Sequence, residues 1–375
     1  MKKIIKITAI TLASVIGLAI LTVVGYVIYV AAQYYRIDDG VKLSVDGSAS
    51  GAVSVGGEYT VMTYNLGFGA YSPEYSFFMD TGVMNDGTAV AGKYAKGMSE
   101  SDVRKNVDGQ TALAAASGCD FYFFQEVDEK ADRSYGVNMK DAMRSALPLL
   151  STTYAKNFHT ANLFYPFSDP IGKSESGILT ASRFKIDSSV RRAFPITTAF
   201  PDKFFDLDRC FSVNYVPVEG GRYLTLINLH MSAYDEGGKI RAKQLEMLNT
   251  VLSLEYTKGN YVVAGGDFNH CLIADNFASD EEALSYFPSG QKVPDWVKNS
   301  ILHENEIAAG FKIAAPKNAA TCRGADIPYE KGVNYSTVID GFLYSDNVEI
   351  VSETVVDTEY AYSDHNPVKI TFRLK

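Results

Sequence analysis

Tyr261-Val262-Val263-Ala264-Gly265-Gly266-Asp267-Phe268-Asn269-His270 is the stretch whose reading decides the fold. Its first four residues form an apolar, β-rich run bounded by glycines, the pattern of a buried strand that stops abruptly. The glycine pair predicts a tight backbone turn at the strand's end. Beyond it, Asp267 and Asn269 flank Phe268, so at period two they share one side and Phe268 takes the other. A carboxylate that accepts or ligates beside an amide that donates suits a phosphate-and-metal site. The same residues also suit a plain Asx turn closing a strand, and the rest of the chain decides between the two.

Working outward, other strands end in residues of the same kind. Tyr59 to Leu66 alternates into a strand that brings Asn65 to its end. Cys119 to Phe124 is an aromatic core strand delivering Gln125-Glu126-Val127, and a carboxylate there is costly unless something positive meets it. Phe211 to Val218 and Tyr223 to Met231 read as a hairpin about Glu219-Gly220-Gly221, its second arm ending in Asn228-Leu229-His230. Thr337 to Tyr344 carries Asp340, and Ser363-Asp364-His365 precedes a last strand, Val368 to Leu374. Helices are expected after Ser99, with Gly118 as the stop, over Val137 to Leu147, and over Lys239 to Leu254. Each polar strand end is weak alone, but adjacent strand ends gather such groups at one rim. Carboxylates with an Asn amide are hard oxygen ligands for Mg²⁺ or Ca²⁺, and two histidines beside acids supply a general base and acid.

Phe68 to Gly97 is rich in Gly, Tyr and Met without a clean period and reads as a long surface loop that shapes substrate access. Its Phe68, Tyr71, Tyr75, Phe77, Phe78 and Met79 have three readings: stacking on bases, sitting at a lipid interface, or packing the loop onto the body.

The N-terminus is of another kind. After Lys2, Lys3 and Lys6, no charge occurs from Ile7 to Ala32, long enough to cross a bilayer. Tyr26, Tyr29, Tyr34 and Tyr35 cluster at its far end as an interfacial belt does. We expect a single-pass anchor over 1–35, a linker over 36–57 carrying a β-hairpin or nothing regular, and a catalytic domain over 58–375 exported from the cell. A signal peptide cut near Ala32 is the competing reading.

The 375 residues carry 46% hydrophobic and 21% charged side chains, an ordinary folded composition, and suffice for a large core. A net charge of −9 gives no global attraction for nucleic acid. The four cysteines are widely spaced without a CxxC pair, so neither a zinc finger nor a disulfide framework is expected.

Tyr64-Asn65, Gln125-Glu126-Val127, Asn228-Leu229-His230, Gly266-Asp267-Phe268-Asn269, Ile339-Asp340-Gly341-Phe342 and Ser363-Asp364-His365 together resemble the endonuclease/exonuclease/phosphatase superfamily, in its motif order, from about Glu58 to Lys375. The resemblance implies an α+β fold, a four-layer α/β/β/α sandwich of two packed sheets with outer helices, here preceded by the N-terminal transmembrane helix. It implies hydrolysis of a phosphate ester by in-line water, with Mg (Mn or Ca as alternatives) as cofactor. Carried over by position, Glu126, Asn65 and Asp364 are metal ligands, and His365 is the general base held by Asp340. Asp267 orients the nucleophile or a second metal, while Asn269 and His230 hold phosphate oxygens. Arg183 and Arg209 are candidates for a local phosphate-facing patch.

The chain therefore reads as a membrane-anchored phosphodiesterase. A nonspecific exported endonuclease and a catalytically inactive binding module are the alternatives. An anchor near the bilayer and the absence of basic clusters favour a lipid headgroup over nucleic acid as substrate.

Overall fold

The central strand, Tyr261–Asp267, runs through both glycines instead of turning at them. A Cβ on Gly265 would lie 2.3 Å from the Phe342 ring, and one on Gly266, at φ +149°, 2.0 Å from the Leu229 carbonyl oxygen. Close approach of the two neighbouring strands, rather than a turn, is what requires glycine here.

The computed structural model describes residues 2–204, 206–233 and 236–375. Among them, strands form two seven-stranded sheets. One sheet runs Val348–Val355, Val368–Leu374, Glu58–Asn65, Phe121–Ala131, Ser174–Ser182, Ser151–His159 and Val45–Asp46. The other runs Val41–Lys42, Ser188–Ala193, Cys210–Val218, Arg222–His230, Tyr261–Asp267, Asp340–Ser345 and Phe311–Ala314. Each has one central parallel pair: Glu58–Asn65 beside Phe121–Ala131, and Arg222–His230 beside Tyr261–Asp267. Parallel neighbours end at the same edge, so each pair presents two C-terminal ends to one rim of the sandwich.

Alternation along the strands sorts the core into layers. Between the sheets, Val61, Phe121, Phe123, Leu226, Val263 and Phe342 pack together. Outside the first sheet, Val103, Val107 and Ala114 of the Glu100–Ser117 helix meet Met62, Tyr64 and Phe124. Outside the second, Leu248, Val251 and Leu252 of the Lys239–Thr257 helix cover Ile227, Leu229 and Val262. The expected four layers are present. A polar seam crosses the inner layer, where Asn228 Nδ2 donates to the Leu179 carbonyl (3.0 Å) and its Oδ1 accepts from Gln125 (2.8 Å). All four cysteines are free.

Two segments differ from expectation, and the N-terminal one matches it. The 36–57 stretch is no free linker: Val41–Lys42 and Val45–Asp46 add edge strands to opposite sheets, and Val53 bridges to Val218. The 68–97 insert carries a short hairpin, Thr81–Val83 with Ala89–Ala91, and turns Phe68, Tyr71 and Tyr75 inward, with Phe77 and Phe78 half-buried and Met79 exposed. Phe68, Tyr71 and Tyr75 are buried with Ala325, and Arg323 holds the segment through the carbonyls of Ser72 and Tyr75. Packing the loop onto the body is thus what these rings do. Finally, Lys2–Gln33 is one continuous helix containing an 18-residue window of mean hydropathy 2.5, long and apolar enough to cross a membrane.

Candidate active site

Register sets the site. His230 pairs with Asp267, and Asp267 pairs with Asp340 at the start of its antiparallel neighbour, so three motif residues stand side by side. Asn65 pairs with Gln125 on the facing sheet. Alternation would then send Gln125 into the sandwich and Glu126 out toward the helices. A β-bulge between Phe124 and Val127 intervenes, and Glu126 takes a left-handed φ of 53° that turns it back to the rim. The strand therefore continues to Ala131 instead of ending at Glu126.

The side chains converge from both sheets. Asn65 Nδ2 donates to Asp267 Oδ2 at 3.0 Å and reaches Glu126 Oε1 at 3.5 Å, while its Oδ1 accepts the Gly67 N–H. His230 Nε2 lies 3.3 Å from Asp267 Oδ2 and 4.0 Å from Glu126 Oε1. His365 Nε2 is 3.8 Å from the same Asp267 oxygen, and its Nδ1 is 2.8 Å from Asp340 Oδ2. Asp364 comes in through Ser363, whose hydroxyl donates to the Asn65 carbonyl at 2.8 Å. A Cβ on Gly67 would fall 2.8 Å from Asp364 Oδ1, so glycine, at φ +50°, keeps this approach open.

Burial dominates the electrostatics. It raises the carboxyl pKa of Glu126 and Asp364, and lifts Asp267 to about 7, with Asp340 adding to the rise. Burial, then the cations Arg209 and His365, push His230 well below the usual imidazole range. Burial also works against a charge on His365, but Asp340, Cys322 and Asp364 outweigh it and hold the imidazole well above that range. Acids whose charge burial disfavours, beside an imidazole whose charge carboxylates favour, mark a low-dielectric rim with perturbed titratable groups.

Three placements refine the sequence reading. Asn269 is engaged locally: its backbone N–H donates to Asp267 Oδ1 (2.9 Å) and its Nδ2 to the Met231 carbonyl (2.9 Å). The Asx turn and the site role of Asp267 coexist. Arg209 reaches the site region, 5% exposed, with Nε and Nη1 buried and without hydrogen-bond partners. Arg183 does not. It pairs with Asp120 and the Gly118 carbonyl at the opposite end of the Phe121–Ala131 strand. Six residues separate Asp120 from Glu126, roughly 20 Å of strand, so Arg183 leaves the phosphate-facing set.

Other contributors carry no motif signal. Thr321 Oγ1 accepts the N–H groups of Ile339 and Asp340, fixing the Asp340 backbone. Cys322 bridges to His365 as a one-residue ladder. Arg133 forks onto Asp128 (2.7 and 3.1 Å), stands 4.0 Å over the Phe68 ring, and partly opposes the rise that burial imposes on the pKa of nearby Glu126. Threonines, cysteines and arginines in loops are too common for sequence to single these out.

The carboxylate oxygens of Asp267 and Asp340 and a ring nitrogen of His365 lie within 4.8 Å of one another, close enough to share an ion. Asp340 Oδ1 is buried without a partner, which also fits a cation nearby.

Comparison with known proteins agrees with this geometry. The sequence profile of the Endonuclease/Exonuclease/phosphatase family matches residues 62–365. No curated protein matches significantly. An endonuclease/exonuclease/phosphatase from Beutenbergia cavernae DSM 12333 superposes with a TM-score of 0.54 at 16% identity, covering 84% of this chain and 72% of that one. ANGEL2, a 2',3'-cyclic phosphatase solved with adenosine-2',3'-vanadate, gives 0.52 at 15% identity over 89% and 99%. TDP2 from Caenorhabditis elegans gives 0.50 at 15% identity over 85% and 75%. At these identities the likeness establishes the shared two-sheet fold, and the profile match supplies the lineage: the chain belongs to the endonuclease/exonuclease/phosphatase family.

Proposed function

We propose that this protein is a membrane-anchored, exported, divalent-metal-dependent phosphodiesterase acting on a phosphate ester by in-line attack of water. One observation carries the reading: the carboxylates of Glu126, Asp267 and Asp364 converge on one rim, Asp267 buried and the other two partly so, where desolvation works against their charge. Carboxylates so placed are stabilised by a cation. Glu126 and Asp364 would hold it, joined by Asn65 if its amide oxygen turned from Gly67, and Asp267 would serve a second position. Mg²⁺ suits these oxygen donors best, with Mn²⁺ or Ca²⁺ as alternatives. When bound, the ion supplies positive charge that offsets the charge growing on the phosphate oxygens.

The chain's own residues do the rest. Asp340 holds His365 with Nδ1 protonated, leaving Nε2 directed at the reaction centre as general base for the attacking water. A cation among the carboxylates would remove part of the field that favours the protonated ring. His230, buried and neutral, and Asn269 support phosphate oxygens. Arg209 brings a desolvated guanidinium with two free donors, the chemistry that recognises a phosphate. All these positions are occupied by competent residues, which disfavours an inactive binding module.

For substrate we favour a lipid-headgroup phosphodiester over DNA, on the apolar N-terminal helix and the acidic surface. The test is hydrolysis of bis(p-nitrophenyl) phosphate with and without EDTA, followed by phospholipid vesicles and plasmid side by side. Metal-independent turnover overturns the mechanism, and plasmid nicking without lipid turnover overturns the substrate class.

A further inference from the structure

Two loops beside the catalytic set carry aromatics turned to solvent. Residues 160–173 follow the Ser151–His159 strand, and residues 194–209 precede the Cys210–Val218 strand. In the first, Phe164, Tyr165 and Phe167 are 48%, 59% and 87% exposed, and in the second Phe200 is 65% exposed. A soluble surface rarely clusters such rings without an occupant.

Strand pairing places both loops on the catalytic edge. His159 pairs with Glu175 and Ala131 with Ser174, so the first loop leaves from the end of the sheet toward which Glu126 points. Cys210 pairs with Ala193 and Phe211 with Leu229, so the second leaves beside His230 and ends at Arg209 itself. The first loop also touches the insert that follows Asn65, with the Tyr165 and Phe78 rings 5.8 Å apart.

The same loops grip the N-terminal helix, and only its last turns. Tyr26 Oη donates to the Asn162 carbonyl and accepts the Phe164 N–H, both at 3.2 Å, and its ring lies 5.3 Å from Phe164. Tyr29 Oη accepts the Asn162 N–H, Val30 packs with Ala161 and Phe204, and Tyr34 meets Phe204 edge-on at 5.3 Å. Before Tyr26 the helix stands clear, its large side chains exposed from Ile4 to Val24. The residues from Ile7 to Gly25 span about 28 Å at 1.5 Å per residue, close to the roughly 30 Å of a hydrocarbon core. The body thus begins where the hydrocarbon would end. With the span in a bilayer, Phe164, packed on Tyr26, would lie at interfacial depth, and Lys203, 5.3 Å over the Tyr34 ring, would sit where a cation meets headgroups.

We infer that these two loops form a bilayer-seating platform that holds the catalytic edge against the lipid surface, with Phe167 and Phe200 dipping into it. The inference rests on the membrane-anchored reading and adds an orientation: the rim of Glu126, His230 and Arg209 opens toward headgroups of the membrane that holds the anchor. A tether alone would leave the body free to present any face.

The experiment uses the full chain reconstituted in phosphatidylcholine vesicles with brominated acyl chains, in a Trp296→Phe background. Single tryptophans are placed by Ile16→Trp in the span, Phe167→Trp on the platform, and Leu254→Trp at the opposite end of the sandwich. Loss of emission on brominated lipid for I16W and F167W, with L254W unchanged, is expected. Quenching of I16W without F167W overturns the platform and leaves the anchor standing, including any case where a second copy covers Phe167. Equal quenching of F167W and L254W overturns the orientation. Absence of quenching at all three overturns the anchor and the platform together.

Discussion

Nδ1 of His365 and Oδ2 of Asp340 stand 2.8 Å apart, both residues at least nine-tenths buried, with the Asp340 backbone held by Thr321. In that geometry the carboxylate selects the tautomer and the basicity of the ring together. Asp340→Asn is expected to lower kcat about 10- to 100-fold, and His365→Ala about 10²- to 10⁴-fold. The acidic limb of the pH–rate profile should move to lower pH in Asp340→Asn, because the amide no longer raises the imidazole pKa. An unmoved limb counts against the pair.

Glu126 is turned to the rim by a bulge and a left-handed backbone, a conformation costing about 1 kcal/mol or more unless the site uses it. Glu126→Gln keeps the shape and removes the charge. Activity should fall on the order of a hundredfold, about 2.7 kcal/mol, with the metal concentration for half-maximal rate rising. Thermal stability in EDTA should hold or rise, since burial alone disfavours that carboxylate.

Arg209 separates a structural role from a site role. Its Nε and Nη1 atoms have no partners to lose, so Arg209→Met should leave the denaturation midpoint unchanged or raise it. Substrate turnover should drop by about 1.5–3 kcal/mol in kcat/KM, the usual worth of a hydrogen bond to a charged group. Destabilisation with normal turnover would refute the phosphate role.

His270 is buried, its pKa lowered to about 4 first by desolvation, with Nδ1 2.5 Å from the Phe268 carbonyl oxygen. The unfolded ring titrates at about 6.5, so below that pH the unfolded state binds the extra proton. Stability is full above about pH 6.5 and is lost as pH falls toward about 4. At pH 5 the loss from this group is about 2 kcal/mol. Denaturation at pH 7 and pH 5 should show that increment in the parent and its absence in His270→Gln.

The anchor makes a cellular prediction. Lys2, Lys3 and Lys6 before the span favour a cytoplasmic N-terminus, so protease added to intact cells should release a soluble fragment of nearly full size. Free protein in the medium, cut near Ala32, would establish a cleaved signal instead.

Strand identity, the outer helices and most of the residues that meet at the rim were legible in the chain, because they depend on local physics. Alternation predicts which residues of a strand share a face, and apolar runs closed by polar residues mark where strands reach a rim. That logic identified Asn65, Glu126, His230, Asp267, Asp340, Asp364 and His365 one motif at a time. It failed wherever the cause was a neighbour distant in sequence. Gly265 and Gly266 looked like a turn, yet they are required by Phe342 and the Leu229 carbonyl across the sheet. Arg183 and Arg209 looked equivalent, and antiparallel pairing sends one to the far end and the other to the site. The insert's aromatics had three readings until Ala325 and Arg323, more than two hundred residues away, closed over them. Periodicity reports a residue's direction relative to its own backbone; only tertiary packing decides what stands there to receive it.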